Sequence, residues 1–265
     1  MAALMSELVT DLAAETEVIE QMLAGLPDDA WEQPTPAEGW LIRDQISHLA
    51  FFDEATVTSV LDPERFKAEA KAHIAAGMDF PDRLAREHRA LSIPELHAWF
   101  RRARISLITE TGERDPKERV PWYGPSMSLA STVTARIMET WAHGQDIADA
   151  LGVIREPSMR LKHVAHIGVG ARAYTFAVRE LPAPEAPIRV ELNAPDGSIW
   201  SWGPEDAAER VTGDALDFCL LVIQRRHRDE TKLEVTGAAA DAWMSIAQAF
   251  AGAAGPGRPA PVSQS

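Results

Sequence analysis

The chain has 265 residues, of which 46% are hydrophobic, and a formal net charge of -14 from 26 Lys and Arg against 40 Asp and Glu. These totals allow one large domain or two of ordinary size, and the acidic balance argues against nucleic acids and anionic membranes as partners. The single cysteine, Cys219, cannot form an internal disulfide, and no secretion signal or membrane span is visible, so we expect a cytoplasmic protein. Within its apolar run Cys219 is predicted to be a buried small hydrophobe rather than a reactive thiol.

Apolar residues at helical spacing predict four long helices in the first part of the chain. A capping box from Ser92 to Glu95 opens the third helix, and Gly152 is suited to end the fourth. The charged segment 63–91 is helix-prone without clear bounds, whereas 31–40 and 114–127 are rich in turn residues. The four helices are predicted at 4–26, 41–61, 92–111 and 128–151. We therefore expect an antiparallel four-helix bundle over residues 1–155.

The pattern changes after Pro157 and predicts a small α+β domain over residues 156–252. Alternating residues on both sides of a Pro-Asp-Gly turn predict a hairpin of strands at 188–192 and 198–202. Helices are predicted at 161–181, 212–226 and 241–250, with a short strand at 232–235. The Gly- and Pro-rich segment 253–265 is predicted to be a disordered tail. The predicted fold class is thus α+β, a four-helix bundle followed by a small α+β domain.

Three side chains suggest a metal site inside the bundle. Glu139 and His143 are four residues apart, so they stand one turn apart on the same face of the fourth helix. His48 lies on the inward stripe of the second helix, where an unpaired imidazole is costly. Two histidines and one carboxylate from two helices make a three-ligand site that leaves a position for water or substrate.

Ordinary structural explanations exist for each of these residues. A Glu and a His four apart are a common surface pair that supports a helix weakly, and a core histidine is usually satisfied by a local partner. Asp146 shares the face of the pair and is predicted to support a ligand rather than to bind the metal itself. Five further histidines are assigned to the surface or to local packing: His73, His88, His97, His163 and His166.

Residues 39–50 and 136–146, which carry these side chains, resemble the two signature segments of the DinB-like metal-binding superfamily. Within it the chain is most similar to the mycothiol-dependent maleylpyruvate isomerase family. The resemblance implies a DinB-like bundle, a sterol-carrier-protein-like second domain, and a divalent metal, usually zinc, held by His48, Glu139 and His143. Residues 211–225 resemble a family segment that ends in a functional arginine, here Arg225 with Arg226 as the alternative.

The segment 211–225 departs from the family pattern at one position. The family usually has Gly directly before that arginine, whereas this chain has Gln224. The tryptophans of the predicted hairpin, Trp200 and Trp202, correspond to no substrate contact that the resemblance implies. Both departures bear on the identity of the substrate more than on the metal site.

The resemblance implies an enzyme that uses mycothiol, a thiol of actinobacteria, as cosubstrate. A metal with an open position can lower the pKa of a bound thiol, and Arg225 could pair with a substrate carboxylate, or simply end a helix favourably. We expect an isomerase or an S-transferase acting on a small unsaturated acid or electrophile; the sequence indicates no oligomeric state. The alternatives are a non-catalytic metal- or ligand-binding protein with a structural metal, and a non-haem Fe(II) site.

Overall fold

The computed structural model describes residues 2–255 and 257–261, and the chain falls into two units, Met1–Arg155 and Glu156–Ser265. The first unit contains the helices α1 (Ala2–Leu23), α2 (Ile42–Leu61), α3 (Pro63–Ala75), α4 (Phe80–His88), α5 (Ile93–Thr111) and α6 (Leu129–Leu151). Two short strands, β1 (Arg119–Val120) and β2 (Met127–Ser128), pair antiparallel in the segment before α6. Helix α2 packs against α5 and α6, and α1 packs against α6 and α5. The predicted four-helix bundle is therefore confirmed, and α3 and α4 occupy the segment whose bounds the sequence left unclear.

Two apolar clusters fill the bundle, with a polar layer between them along the helices. Asp53 on α2 accepts hydrogen bonds from Arg104 on α5 (2.6 Å) and from Arg136 on α6 (3.0 Å). All three residues are buried, and Arg104 also donates to Thr140 at 3.0 Å. One cluster includes Ile19, Ile46, Leu49, Phe100 and Ile147, and the other includes Leu8, Leu12, Val60, Leu107 and Ile137. The polar layer fixes the register of α2, α5 and α6, because a shift along any helix axis would leave a buried charge unpaired.

The start of α2, which sets the position of His48, is held by a buried carboxylate. Asp44 accepts from the backbone N–H of Leu41 at 2.8 Å and so satisfies one of the donors that a helix N-terminus leaves open. The same carboxylate pairs with Arg89, just after α4, at 2.5 Å. The segment between α2 and α5 therefore anchors the end of the helix that carries the first candidate ligand.

The second unit combines short helices with a mixed four-stranded sheet. Its elements are α7 (Leu161–Gly170), α8 (Arg172–Ala177), β3 (Ile188–Asn193), β4 (Ile199–Trp202), β5 (Glu209–Asp214), α9 (Ala215–Val222), β6 (Glu234–Thr236) and α10 (Ala238–Met244). The strand order is β4-β3-β5-β6. Strands β3 and β4 form the predicted hairpin, β3 and β5 run parallel, and β5 and β6 run antiparallel. The predicted α+β class is confirmed.

Three local predictions for this unit are wrong in detail. The single helix expected at 161–181 is broken between α7 and α8, where Gly168 and Gly170 lower helix propensity. Gly168 is required there, because a Cβ atom would lie 2.8 Å from Val222 Cγ2. The helix expected from residue 212 starts at Ala215, since its first residues belong to β5, a strand that the sequence did not reveal.

The last predicted helix, 241–250, is found instead at Ala238–Met244. Residues 253–255 and 257–261 belong to no helix or strand, whereas Pro256 and residues 262–265 of the expected tail lie outside the described residues. Within the described part of the chain, no helix is both long enough and apolar enough to cross a membrane.

Candidate metal centre

Packing of α2 against α6 brings His48, Glu139 and His143 together. One ligand-capable atom from each of them lies within 4.8 Å of the other two. The Oε2 atom of Glu139 is 3.7 Å from His48 Nε2 and 3.2 Å from His143 Nε2. In the parts of the chain that the structure describes, this is the one group of three such side chains arranged closely enough to hold a metal ion.

The carboxylate of Glu139 is charged at neutral pH in this setting. Burial opposes its ionisation, but the imidazoles of His143 and His48 beside it outweigh burial and hold the pKa of the Glu139 carboxyl well below its ordinary value. A charged carboxylate between two imidazoles provides the negative charge that a divalent cation needs, and binding of the cation requires the nitrogen atoms that face it to be free of protons.

The site is sheltered and yet reachable from one side. The side chains of His48, Glu139 and His143 are 13%, 22% and 9% exposed. Glu139, the most exposed of the three, therefore marks the direction from which water or a substrate can approach.

Aromatic rings enclose the two imidazoles. The Trp40 ring is stacked on His143 at a centroid distance of 5.9 Å and lies 5.4 Å from the His48 ring. Phe52, one turn after His48 on α2, contacts the His48 ring at 4.5 Å. The indole N–H of Trp40 donates to Asp82 on α4 at 2.7 Å, so the tryptophan is held over the site.

The aromatic wall continues beyond Phe52. Rings of Phe80, Trp122 and Tyr123 lie 5.6–6.3 Å from the Phe52 ring, and Trp122 stacks on Phe66 at 5.7 Å. Burial raises the pKa of the Tyr123 hydroxyl, so this residue stays neutral beside the site. An apolar wall next to three metal-ligating groups favours a ligand that has both a polar and an apolar part.

Gln45 connects the site to the turn that precedes α2. Nδ1 of His143 lies 2.5 Å from Gln45 Oε1, and Gln45 Nε2 donates to Thr35 Oγ1 at 2.9 Å. Sequence reasoning missed Gln45, Thr35 and Trp40. Gln45 had a detectable signal, since it precedes His48 by three residues on the same helix and therefore shares its face.

The other predicted site residues are placed as follows. Asp146 is fully buried on α6, one turn after His143; its supporting role stays a prediction. Two nearby arginines pair with other carboxylates, Arg136 on α6 with Asp53 and Arg43 on α2 with Glu32. Arg225 belongs to the second unit, where its Nη1 donates to the carbonyl of Ile223 at 2.8 Å.

The segment before Arg225 shows why a glycine is favoured there. Gln224 follows the end of α9 and has a φ of 59°, in the left-handed region that strains every residue with a Cβ atom. Its side chain amide donates to the carbonyl of Ala247 at 3.1 Å. The backbone at Gln224 thus keeps a conformation that glycine favours, and the Gln224 side chain adds a hydrogen bond to the segment at Ala247.

Histidines outside the triad have local contacts. His88 Nδ1 contacts the carbonyl of Leu84 at 2.7 Å, His97 contacts Glu20 at 2.9 Å, and His166 accepts from Trp202 at 3.4 Å. None of them belongs to a group of three possible ligands among the described residues.

The donor set fits a divalent metal. Two imidazoles and one carboxylate are ligands that zinc and iron both accept, and the hydrogen bond from His143 to a side chain carbonyl is the usual support of a ligating histidine. The residues that would hold the ion are His48, Glu139 and His143.

Comparisons with known proteins match most of the chain. A family model described as mycothiol maleylpyruvate isomerase N-terminal domain matches residues 12–148, and one described as wyosine base formation matches residues 184–232. Uncharacterized proteins from two strains of Mycobacterium tuberculosis are each 47% identical over 250 residues, covering 94% of this chain and 97% of the relative.

Two solved structures share the fold. The crystal structure of the mycothiol-dependent maleylpyruvate isomerase matches with a TM-score of 0.59 and 16% identity over 87% of this chain and 92% of that chain. A histidine-to-alanine mutant of that enzyme matches with the same TM-score and coverage at 15% identity. The first family model covers more than half of the chain and includes all three residues of the triad, and the chain therefore belongs to the mycothiol maleylpyruvate isomerase family.

Proposed function

We propose that this protein is a metal-dependent enzyme that uses mycothiol to isomerise, or to transfer a thiol to, a small unsaturated acid. The observation that carries the proposal is the group of His48, Glu139 and His143 with one exposed side, next to an aromatic wall. Family membership supports the thiol, because the related enzyme of known structure is described as mycothiol-dependent.

The three residues would hold a divalent metal, for which we propose zinc. When bound, such a metal acts as a Lewis acid and lowers the pKa of a thiol at its open position. The chain's own contribution is to direct three donor atoms to one point and to cover two of the ligands with Trp40 and Phe52. These rings exclude water from the imidazoles and strengthen electrostatic interactions nearby.

The thiol must come from outside the protein. Cys219 is the only cysteine; it is fully buried, and burial raises the pKa of its thiol. A buried neutral thiol is a poor nucleophile. A thiol-dependent reaction therefore needs a small diffusible thiol, which supports mycothiol as cosubstrate.

The chemistry is an addition followed by an elimination. The sulfur of the thiolate bonds to one carbon of a cis double bond conjugated with a carbonyl, and the electron pair of the double bond moves to the carbonyl oxygen. Rotation about the resulting single bond is followed by return of the electron pair, re-formation of the double bond in trans and departure of the thiolate. If the adduct is protonated and released instead, the same site performs an S-transfer.

A substrate of this class carries a carboxylate, for which we propose Arg225 as the partner. The support is the resemblance of residues 211–225 to the family segment and the geometry of a guanidinium, which pairs with a carboxylate through two parallel hydrogen bonds. Arg226 is the alternative, since both side chains follow the end of α9.

A direct test uses purified protein, mycothiol and maleylpyruvate, with conversion to the trans isomer followed in the ultraviolet. We expect turnover that requires both mycothiol and the metal, and that is lost after chelation and restored by zinc. The matched control is the His166→Ala variant, which should keep full activity. If the protein neither binds mycothiol nor accelerates conversion of any cis-unsaturated acid or electrophile, the enzyme proposal is wrong and a structural metal in a binding protein becomes the better account.

A further inference from the structure

A chain of hydrogen bonds runs from the backbone of Trp40 to the ring of His143. The hydroxyl of Thr35 lies 3.0 Å from the carbonyl oxygen of Trp40, the side chain amide of Gln45 lies 2.9 Å from that hydroxyl, and His143 Nδ1 lies 2.5 Å from Gln45 Oε1. Thr35, Gln45 and His143 are all buried, so solvent does not supply competing partners.

The first member of the chain determines the direction of every hydrogen bond. A carbonyl oxygen can only accept, so the single hydroxyl proton of Thr35 goes to Trp40. The hydroxyl oxygen then accepts from the NH2 group of Gln45, which turns Oε1 of the amide toward His143. An oxygen in that position can only accept, and His143 must therefore carry a proton on Nδ1.

The opposite direction is less favourable. If Thr35 donated to Gln45, its oxygen would face the Trp40 carbonyl oxygen at 3.0 Å with no proton between them. Only one assignment makes each of the three contacts a hydrogen bond, and buried polar groups are satisfied in this way in the great majority of cases.

We propose that Gln45 and Thr35 are positioning residues that keep a proton on Nδ1 of His143, so that Nε2, the nitrogen that faces Glu139, is the atom left to bind a metal. The inference rests on the proposed metal site, since Nε2 is the atom that would bind the metal. The neutral form of this ring has its lone pair already aimed at the ion, so no tautomer change is needed on binding.

The turn before α2 holds this series of hydrogen bonds in place. The backbone N–H of Thr35 donates to the Trp40 carbonyl at 2.8 Å, Pro34 and Leu41 form an isolated bridge, and Gly39 has a φ of 77° that few other residues adopt. Trp40 therefore has two roles: its carbonyl accepts the first hydrogen bond of the series, and its ring stacks on His143. Metal affinity should depend on a turn that contributes no ligand.

The experiment measures zinc affinity by competition with a chromophoric chelator. Loss of a support of this kind typically lowers metal affinity about 10- to 100-fold, and we expect a loss in this range for Gln45→Leu. Thr35→Val, which removes only the hydroxyl, should weaken binding by a smaller factor, and Thr35→Ser should restore it. The matched control is Gln145→Leu, because Gln145 is a buried glutamine on α6 that bonds to Asp149 rather than to the site.

A second measurement tests the tautomer without metal or activity. In the metal-free protein labelled with 15N-histidine, His143 should show a proton on Nδ1, the nitrogen that faces the amide oxygen of Gln45. Gln45→Leu should lose the preference for a proton on Nδ1. If the leucine variant does not fold, Thr35→Val and Thr35→Ser provide the same comparison.

Two results would overturn the inference: a wild-type His143 without a proton on Nδ1, or Gln45→Leu and Thr35→Val variants that both bind zinc within about twofold of wild type, far less than the loss expected for a missing support. If the wild-type protein binds no zinc but shows the Nδ1 tautomer, the metal proposal fails while the positioning of His143 by Gln45 stands.

Discussion

His48 Nε2 lies 3.7 Å from Glu139 Oε2, although the two residues belong to different helices of the bundle. The contact exists because α2 packs against α6 in a register that the polar layer at Asp53 fixes. His143, one turn along α6, brings a second imidazole to 3.2 Å from the same oxygen. The candidate site is therefore a product of tertiary packing and inherits the stability of the bundle.

The polar layer gives the first prediction. Asp53→Asn should lower the free energy of unfolding by about 3–5 kcal/mol, because it leaves Arg104 and Arg136 buried without their shared carboxylate. Urea denaturation followed by circular dichroism measures the change.

The control for this substitution is Glu64→Gln, which removes an exposed ion pair with Lys67 and should change stability by less than about 1 kcal/mol. An Asp53→Asn variant as stable as that control would contradict the role assigned to the layer.

The backbone at Gln224 gives the second prediction. Gln224→Gly should be more stable than Gln224→Ala by about 1 kcal/mol, since both lose the amide hydrogen bond and only glycine relieves the left-handed conformation. Thermal and urea unfolding of the two variants measure the difference. In an ordinary helical position the order is reversed, so a more stable alanine variant would show that no strain is stored here.

The buried thiol gives the third prediction. Since burial raises the pKa of the Cys219 thiol, the folded protein should not react with a thiol reagent at alkaline pH, whereas the unfolded chain, with an ordinary thiol pKa of about 8.5, should react readily.

The sign of the linked stability follows from the same shift. A group whose pKa is raised by folding contributes stability below its unfolded pKa and loses it as pH rises above that value. Wild type should therefore lose stability relative to Cys219→Ala above about pH 8.5. Rapid reaction of Cys219 with the thiol reagent in the native protein would contradict both expectations and would make Cys219 a candidate nucleophile.

The fourth prediction concerns Arg225. Arg225→Lys should raise KM for a carboxylate substrate about 10- to 100-fold with a smaller change in kcat, because lysine keeps the charge but loses the paired hydrogen bonds. Steady-state kinetics with saturating mycothiol measure the effect. Arg226→Lys is the matched comparison, and a large KM effect in that variant alone would transfer the role to Arg226.

The sequence predicted the bundle and the triad because both depend on helical periodicity, which is a local property. His48, Glu139 and His143 stand out as ligand-capable residues beside apolar stripes, and the family resemblance joined them. Elements that depend on distant pairing were missed: β5 is a strand because β3 and β6 flank it, and its residues 209–214 show no clear alternation. Thr35 and Trp40 gave no signal, since only a folded turn aligns a hydroxyl and a carbonyl with an amide on the following helix.

The measurement that tests the metal site most directly is the metal content of protein purified without added metal, determined by mass spectrometry. We expect about one zinc per chain in wild type and in the His166→Ala control, and none in His48→Ala or in His143→Ala, because a site with two of its three protein ligands does not retain the ion. Full metal in the His48→Ala variant would contradict the proposed triad, and stoichiometric iron in the wild-type protein would contradict zinc.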